Sequence, residues 1–119
     1  MAPMEIREEK SDGVTVVVPV GRIDAVTSDE LERKLIAVVA ASGARLVVDM
    51  QAVEYISSAG LRVLLKLAKR VKEQSGRVVL CSLGPAVRQV FELAGFLTLF
   101  EVEASREPAL ALLAAPSEP

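Results

Sequence analysis

Three short, apolar runs, "VTVVVPV" (Val14–Val20), "RLVVDM" (Arg45–Met50) and "RVVLCSL" (Arg77–Leu83), are separated by stretches with helical periodicity. The second and third read as strands covered on both faces, because nothing polar alternates along them. Ahead of the first run, Met4–Lys10 reads as a partner strand across the turn Ser11-Asp12-Gly13, where an Asp-Gly pair supplies the positive φ of a tight hairpin. Thr27-Ser28-Asp29-Glu30 has the S/T-x-x-E spacing of a capping box, and Leu31, Leu35, Val38 and Val39 form the stripe of a first helix that stops at Gly43. Leu61, Leu64, Leu65, Ala68 and Val71 mark a second helix ending near Ser75-Gly76. Pro85 suits the first turn of a third, with Val87, Val90, Phe91 and Ala94 inward and Gly95 as its stop. Thr98–Val102 is expected as the last strand and Ser105–Ala114 as the last helix.

The expected order is β-β-α-β-α-β-α-β-α, an α/β fold in which strand-helix-strand units impose parallel pairing and the opening hairpin makes the sheet mixed. Residues 1–114 are expected to form one domain. Residues 115–119, "APSEP", have little to pack and are expected to fray. A chain of 119 residues, 51% of them apolar, is the size of one self-sufficient core.

Composition narrows the chemistry. The net charge of −2, with three Phe, one Tyr and no Trp, gives neither the basic excess nor the stacking rings of a nucleic-acid surface. A protein or small-ligand partner is expected instead. The apolar runs are far shorter than the ~20 residues of a membrane span, and "MAPMEIREEK" has no apolar leader core, so a cytoplasmic protein is expected. With no histidine anywhere, neither a Ser-His-Asp nor a Cys-His triad can form, and no His-based metal site is available. Neither common phosphate-cradling glycine motif occurs, so a nucleotide would have to be held by a partner. No catalytic residue, metal or cofactor is assigned. Cys81, alone and inside an apolar run, reads as a buried inert thiol.

The stretch "EYISSAGLRVLL" sets two hydroxyls, Ser57 and Ser58, where a helix begins. One serine is explained by capping, which satisfies a free first-turn amide for about 1 kcal/mol. The second is not, and Gly60 just beyond it costs helical stability while allowing a close approach to the backbone. A helix N-terminus also accommodates an anion, so a phosphoryl group added there need not unfold the domain. Along the same helix Arg62, Lys66, Lys69, Arg70 and Lys72 precede the first acid, Glu73, and residues 62, 66 and 69 share a face. That face is either a solvated one or the counterpart of an acidic partner.

"VEYISSAGLRVLL" resembles the D-S-S-G-L segment of STAS domains, the family that includes the anti-sigma factor antagonists. "GRID" (Gly21–Asp24) is similar to that family's G-x-aliphatic-D, "LVVDM" to its central strand, and "GPAVRQVFELAGF" (Gly84–Phe96) to its S-P-A-V-x-x-x-F-x-x-x-G helix. The resemblance implies a non-enzymatic regulator that, when unphosphorylated, binds an anti-sigma factor that is also an ATP-dependent serine kinase and so frees a sigma factor. It implies phosphorylation at Ser58 as the off switch and a serine phosphatase as the reset. It also implies partner contacts from Asp24, Ser57, Ala59, Gly60, Leu61 and Arg62. Two positions depart from the pattern: Ser57 stands where those antagonists carry Asp, and Ala59 where they carry a second Ser or Thr. Asp24 has a local alternative, since an Asp just ahead of a helix often bonds nearby amides. A STAS module not switched by phosphate, acting as a scaffold or a transporter accessory, is the other reading within the fold, and a small nucleotide-binding enzyme the reading outside it.

Overall fold

The structure, a computed structural model, describes residues 4–114. The expected fraying of 115–119 lies outside the described residues. In chain order the elements are β1 (Glu5–Ser11), β2 (Val14–Ile23), α1 (Thr27–Ser42), β3 (Arg45–Asp49), β4 (Val53–Ile56), α2 (Ser58–Glu73), β5 (Arg77–Cys81), α3 (Pro85–Leu93), a 3-10 turn (Phe96–Thr98), β6 (Glu101–Glu103) and α4 (Arg106–Ala114). The α/β class with a mixed, mostly parallel sheet is as the sequence predicts, with one additional strand, β4.

β1 and β2 pair antiparallel through a turn in which Asp12 (φ 50°) and Gly13 (φ 80°) take the two positive φ values of a type I′ hairpin. The other pairings are parallel, in the order β1-β2-β3-β5-β6. β2 is long enough to hold two partners on its second edge: β3 along Thr15–Val17, then β4 along Gly21–Ile23. Pro19 falls in the interval between them, where a residue lacking an N–H is tolerated because the ladder is changing partner. A register shift between Gly21 and Arg22 marks the new pairing.

The apolar runs divide by alternation. Val17, Leu46, Val48, Val78 and Leu80 face a core closed by α1, α2 and α3, while Val14, Val16, Val18, Val47, Val79 and Cys81 face Ala109 and Leu113 of α4. Burial on both faces is why these strands read as continuous rather than alternating hydrophobic segments.

β4 escaped the sequence pattern because its burial runs buried-exposed-exposed-buried, a period that fits no template. β5 ends at Cys81, short of Leu83, where Ser82 turns to φ +62°. The last strand begins later than Thr98, because Phe96 and Phe100 fold back as an aromatic cluster with Phe91 instead of extending. Phe91 and Phe100 meet edge to face at 5.9 Å.

The lone α4 is fastened by charge. Asp49, 1% exposed at the end of β3, accepts a hydrogen bond on Oδ2 from Arg106 Nε at 3.0 Å, with Arg106 Nη2 in ion-pair contact at the same distance, and Arg106 Nη1 reaches Glu9 on β1 at 2.7 Å. Removing the cation while keeping the side-chain volume, as in Arg106→Met, strands a buried carboxylate and is expected to cost about 3 kcal/mol in urea unfolding. Cys81, paired beside Asp49, has its thiol pushed up to about 11 by burial. At pH 8 it should resist alkylation in the native protein and react readily in denaturant, a difference measurable by mass spectrometry.

Candidate functional site

The site is assembled where β2 and β4 end side by side. Ile23 and Ile56 are register partners, so the residues that follow them, Asp24 and Ser57, leave the sheet next to one another, roughly 5 Å apart by strand spacing. The Ser57 N–H donates to the Ile23 carbonyl at 2.8 Å, which continues the ladder one residue further.

The two serines have different tasks. Ser57 is extended (φ −90°, ψ 172°), and its Oγ accepts from the Gly60 N–H at 3.2 Å, the geometry of an N-cap. Ser58 is the first helical residue; it is exposed, and its hydroxyl makes no hydrogen bond among the described residues. No acidic side chain occupies the first turn of α2, so its free amides and the positive end of its dipole remain available to an anion.

Gly60 is buried, and its bare Cα is used internally. A Cβ there would lie 2.6 Å from Ile23 Cγ2 and 2.8 Å from Ile56 Cγ1. The close approach that the sequence suggested for an incoming molecule is therefore made by the protein's own strands. Leu61 is likewise buried, at 4% exposure. These two residues support the site from beneath, whereas Ser58 and Arg62 are exposed and Asp24, Ser57 and Ala59 are half-buried at its surface.

Asp24 realises its local alternative. Its Oδ1 accepts from the N–H groups of Val26 and Thr27, both at 3.0 Å, while Thr27 Oγ1 accepts from the Asp24 N–H at 2.8 Å and donates to the Arg22 carbonyl. This reciprocal pair is a capping box, built three residues upstream of the Thr27–Glu30 box that the spacing suggested. The expected box does not form: Val26 precedes α1 with no side-chain cap, and Thr27 is already engaged by Asp24. The Thr27 amide, then the Val26 amide, hold the Asp24 carboxyl below its usual range.

Two neighbours were not singled out from sequence. The Arg22 guanidinium lies 4.4 Å from the centre of the Tyr55 ring, a cation–π pair across the β2–β4 register. The strand that carries Tyr55 was not predicted, so nothing in the sequence placed the two side by side. Among the described residues no group of three or more His, Cys, Asp or Glu side chains could hold a metal, and no helix is long and apolar enough to cross a membrane.

An α/β sheet with one helix on its far face and a serine-capped helix rising from its carboxyl edge defines a class of small α/β domain. The STAS domain model matches residues 5–109, and the chain belongs to that family. The Bordetella bronchiseptica protein BtrV, a candidate anti-sigma factor antagonist, is 43% identical over 108 residues, 91% of this chain and 93% of BtrV. RsfB, an anti-sigma-F factor antagonist of Mycobacterium tuberculosis, is 31% identical over 99 residues, 83% of this chain and 80% of its own. The crystal structure of an anti-sigma factor antagonist from Mycobacterium paratuberculosis superimposes with a TM-score of 0.82 at 36% identity, covering 94% of this chain and 95% of that one.

The division of labour between the serines is directly measurable. Ser57→Ala is expected to cost about 1 kcal/mol through the lost cap, and Ser58→Ala to change stability by less than about 0.5 kcal/mol. Because the Asp24 carboxyl is depressed in the folded state, the stability it contributes is complete above its ordinary value of 3.8 and is lost as pH falls through the lower folded value. Asp24→Asn should therefore flatten the acid limb of the stability profile in that window, read by thermal melts across the acid range.

Proposed function

We propose that this protein is an anti-sigma factor antagonist of the partner-switching kind, cytoplasmic and without catalytic activity of its own. Unphosphorylated, it binds an anti-sigma factor that is also a serine kinase, and so frees the sigma factor held by that kinase. The kinase then transfers the γ-phosphoryl group of its own ATP to Ser58 Oγ, releasing ADP and the hydroxyl proton. A phosphatase hydrolyses the ester and restores the binder.

The observation that carries this reading is the unengaged Ser58 hydroxyl, exposed at the first position of α2 while Ser57 does the capping. A phosphoryl group at that position is compatible with the dipole and free amides of α2, so the fold has no reason to oppose it. In a packed interface the same group brings a charge near −2 and a desolvation penalty of several kcal/mol, and each ~1.4 kcal/mol is tenfold in affinity. The contact face is then Ser58 with Asp24, Ser57, Ala59 and Arg62 around it, and Gly60 and Leu61 below. Arg62, one turn along α2 on the Ser58 side, is suited to meet either an acidic partner or the phosphate.

Ser57 and Ala59, which replace an acid and a hydroxyl of the resembled pattern, favour one competing reading: a constitutive STAS binder with no phosphate switch. The two separate on one titration. Ser58→Asp is expected to weaken binding to the cognate anti-sigma factor at least a hundredfold, and Ser58→Ala to retain it, in calorimetry with purified partners. Equal affinities for both variants would sink the switch and leave the constitutive binder.

A further inference from the structure

α1 and α2 lie side by side over the sheet, and an open groove of about 260 Å³ runs between them. Its floor is apolar: the buried side chains of Leu35, Val63 and Leu67 close it from beneath, and Ile36 is 39% exposed. Its rim is basic on the α2 side, where Lys66, Lys69 and Arg70 stand together.

Part of this charge has a local explanation. Lys66 pairs with Glu32 across the groove at 3.4 Å, and Arg70 and Lys72 complement the carboxyl end of the α2 dipole. That leaves Lys69, one turn on from Lys66, and the exposed aliphatic Ile36 in the same groove unaccounted for. Neither Lys69 nor Arg70 makes an ion pair among the described residues, and only Glu73 closes that end of the groove. The lining thus carries three cations against the two carboxylates of Glu32 and Glu73, a net charge of +1 in a chain whose net charge is −2.

We infer that the α1–α2 groove is a second protein-docking surface, taking a partner segment that inserts an aliphatic side chain over Ile36 and presents carboxylates to Lys69 and Arg70. Charge complementarity selects this occupant. A two-fold contact with a second copy would bring two such basic rims together, which like-charge repulsion opposes. Lys66 and Glu73 lie eight and fifteen residues beyond Ser58, or about 12 and 22 Å along the helix axis. Both distances exceed the screening length of ~8 Å at physiological salt, so a contact here senses the charge state of Ser58 only weakly. The surface stands or falls independently of the switch proposed for that serine.

The test is a selection of randomised short peptides displayed against the whole protein, followed by amide-shift mapping with the enriched synthetic peptides. The expected result is enrichment of sequences pairing Leu, Ile or Val with Asp or Glu, with shifts at Ile36, Val63, Leu67, Lys69 and Arg70. Their binding should weaken at least tenfold in Lys69→Glu/Arg70→Glu and again in Ile36→Ser, and be unchanged in Ser58→Asp. All three sets of substitutions are at exposed positions, and unperturbed remote amide signals would verify that each variant is folded. Enriched peptides lacking acids, shifts centred on Ser57–Arg62, or affinities indifferent to the charge reversal would each overturn the assignment. So would self-association of the wild type that Lys69→Glu/Arg70→Glu strengthens, since a second copy would then be the occupant.

Discussion

The site depends on one strand changing partner. β2 gives its first half to β3 and its last three residues to β4, and the change at Pro19–Gly21 sets Ile23 beside Ile56. Those two side chains fill the space that a Cβ on Gly60 would need, so α2 can descend onto the sheet only because residue 60 has none. The position and tilt of the α2 N-terminus follow from that contact. With them follow the exposure of Ser58, the reach of Ser57 to the Gly60 amide and the proximity of Asp24. A change at Gly60 would therefore disturb the site through its support, by overpacking worth about 1–3 kcal/mol, even though the residue is hidden from any partner.

The same economy separates function from folding at this corner of the molecule. Asp24 and Thr27 satisfy each other, Ser57 satisfies Gly60, and the strand ends satisfy Ser57 through the Ile23 carbonyl. Each polar group that the fold needs is engaged, and the Ser58 hydroxyl is left over. At the opposite end of the sheet the logic is reversed: Gly76 is pressed so closely to Ala44 that a Cβ would meet the Ala44 carbonyl oxygen at 2.3 Å, and Arg77 donates to that same oxygen. That end is committed to packing, while the carboxyl edge keeps a free group.

Much of this was legible in the sequence, for physical reasons that can be stated. The doubly buried strands announce themselves because both faces are apolar, and α2 and α3 because their inward stripes hold to helical spacing. The capping role of one serine and the surplus of the other were also readable, as was the burial of Cys81. What failed were the features set by tertiary contact. β4 is four residues long with its middle pair in solvent, the Phe96–Phe100 segment is shaped by aromatic contacts to α3, and Thr27 was claimed by Asp24 before it could cap on its own account. Gly60 was noticed correctly and explained wrongly, because a sequence shows that a close approach is possible without showing which surface makes it.

The serine at position 57 bears on how a switch at Ser58 would be felt. A carboxylate there could accept the same amide hydrogen bond, so the replacement keeps the cap and removes a charge. Two unit charges at about 5 Å repel by roughly 1 kcal/mol even in water, and by several times that where solvent is partly excluded. With Ser57 in place of that acid, a phosphoryl group on Ser58 would meet one negative charge fewer, and the carboxylate that remains, Asp24, is held by the amides of Val26 and Thr27 at its Oδ1. The helix dipole, worth about 0.3–1 kcal/mol, then acts on the phosphate with one carboxylate fewer to oppose it. On the switch proposed above, the domain would carry the modification at little cost to its own stability, and the added charge would act at the interface.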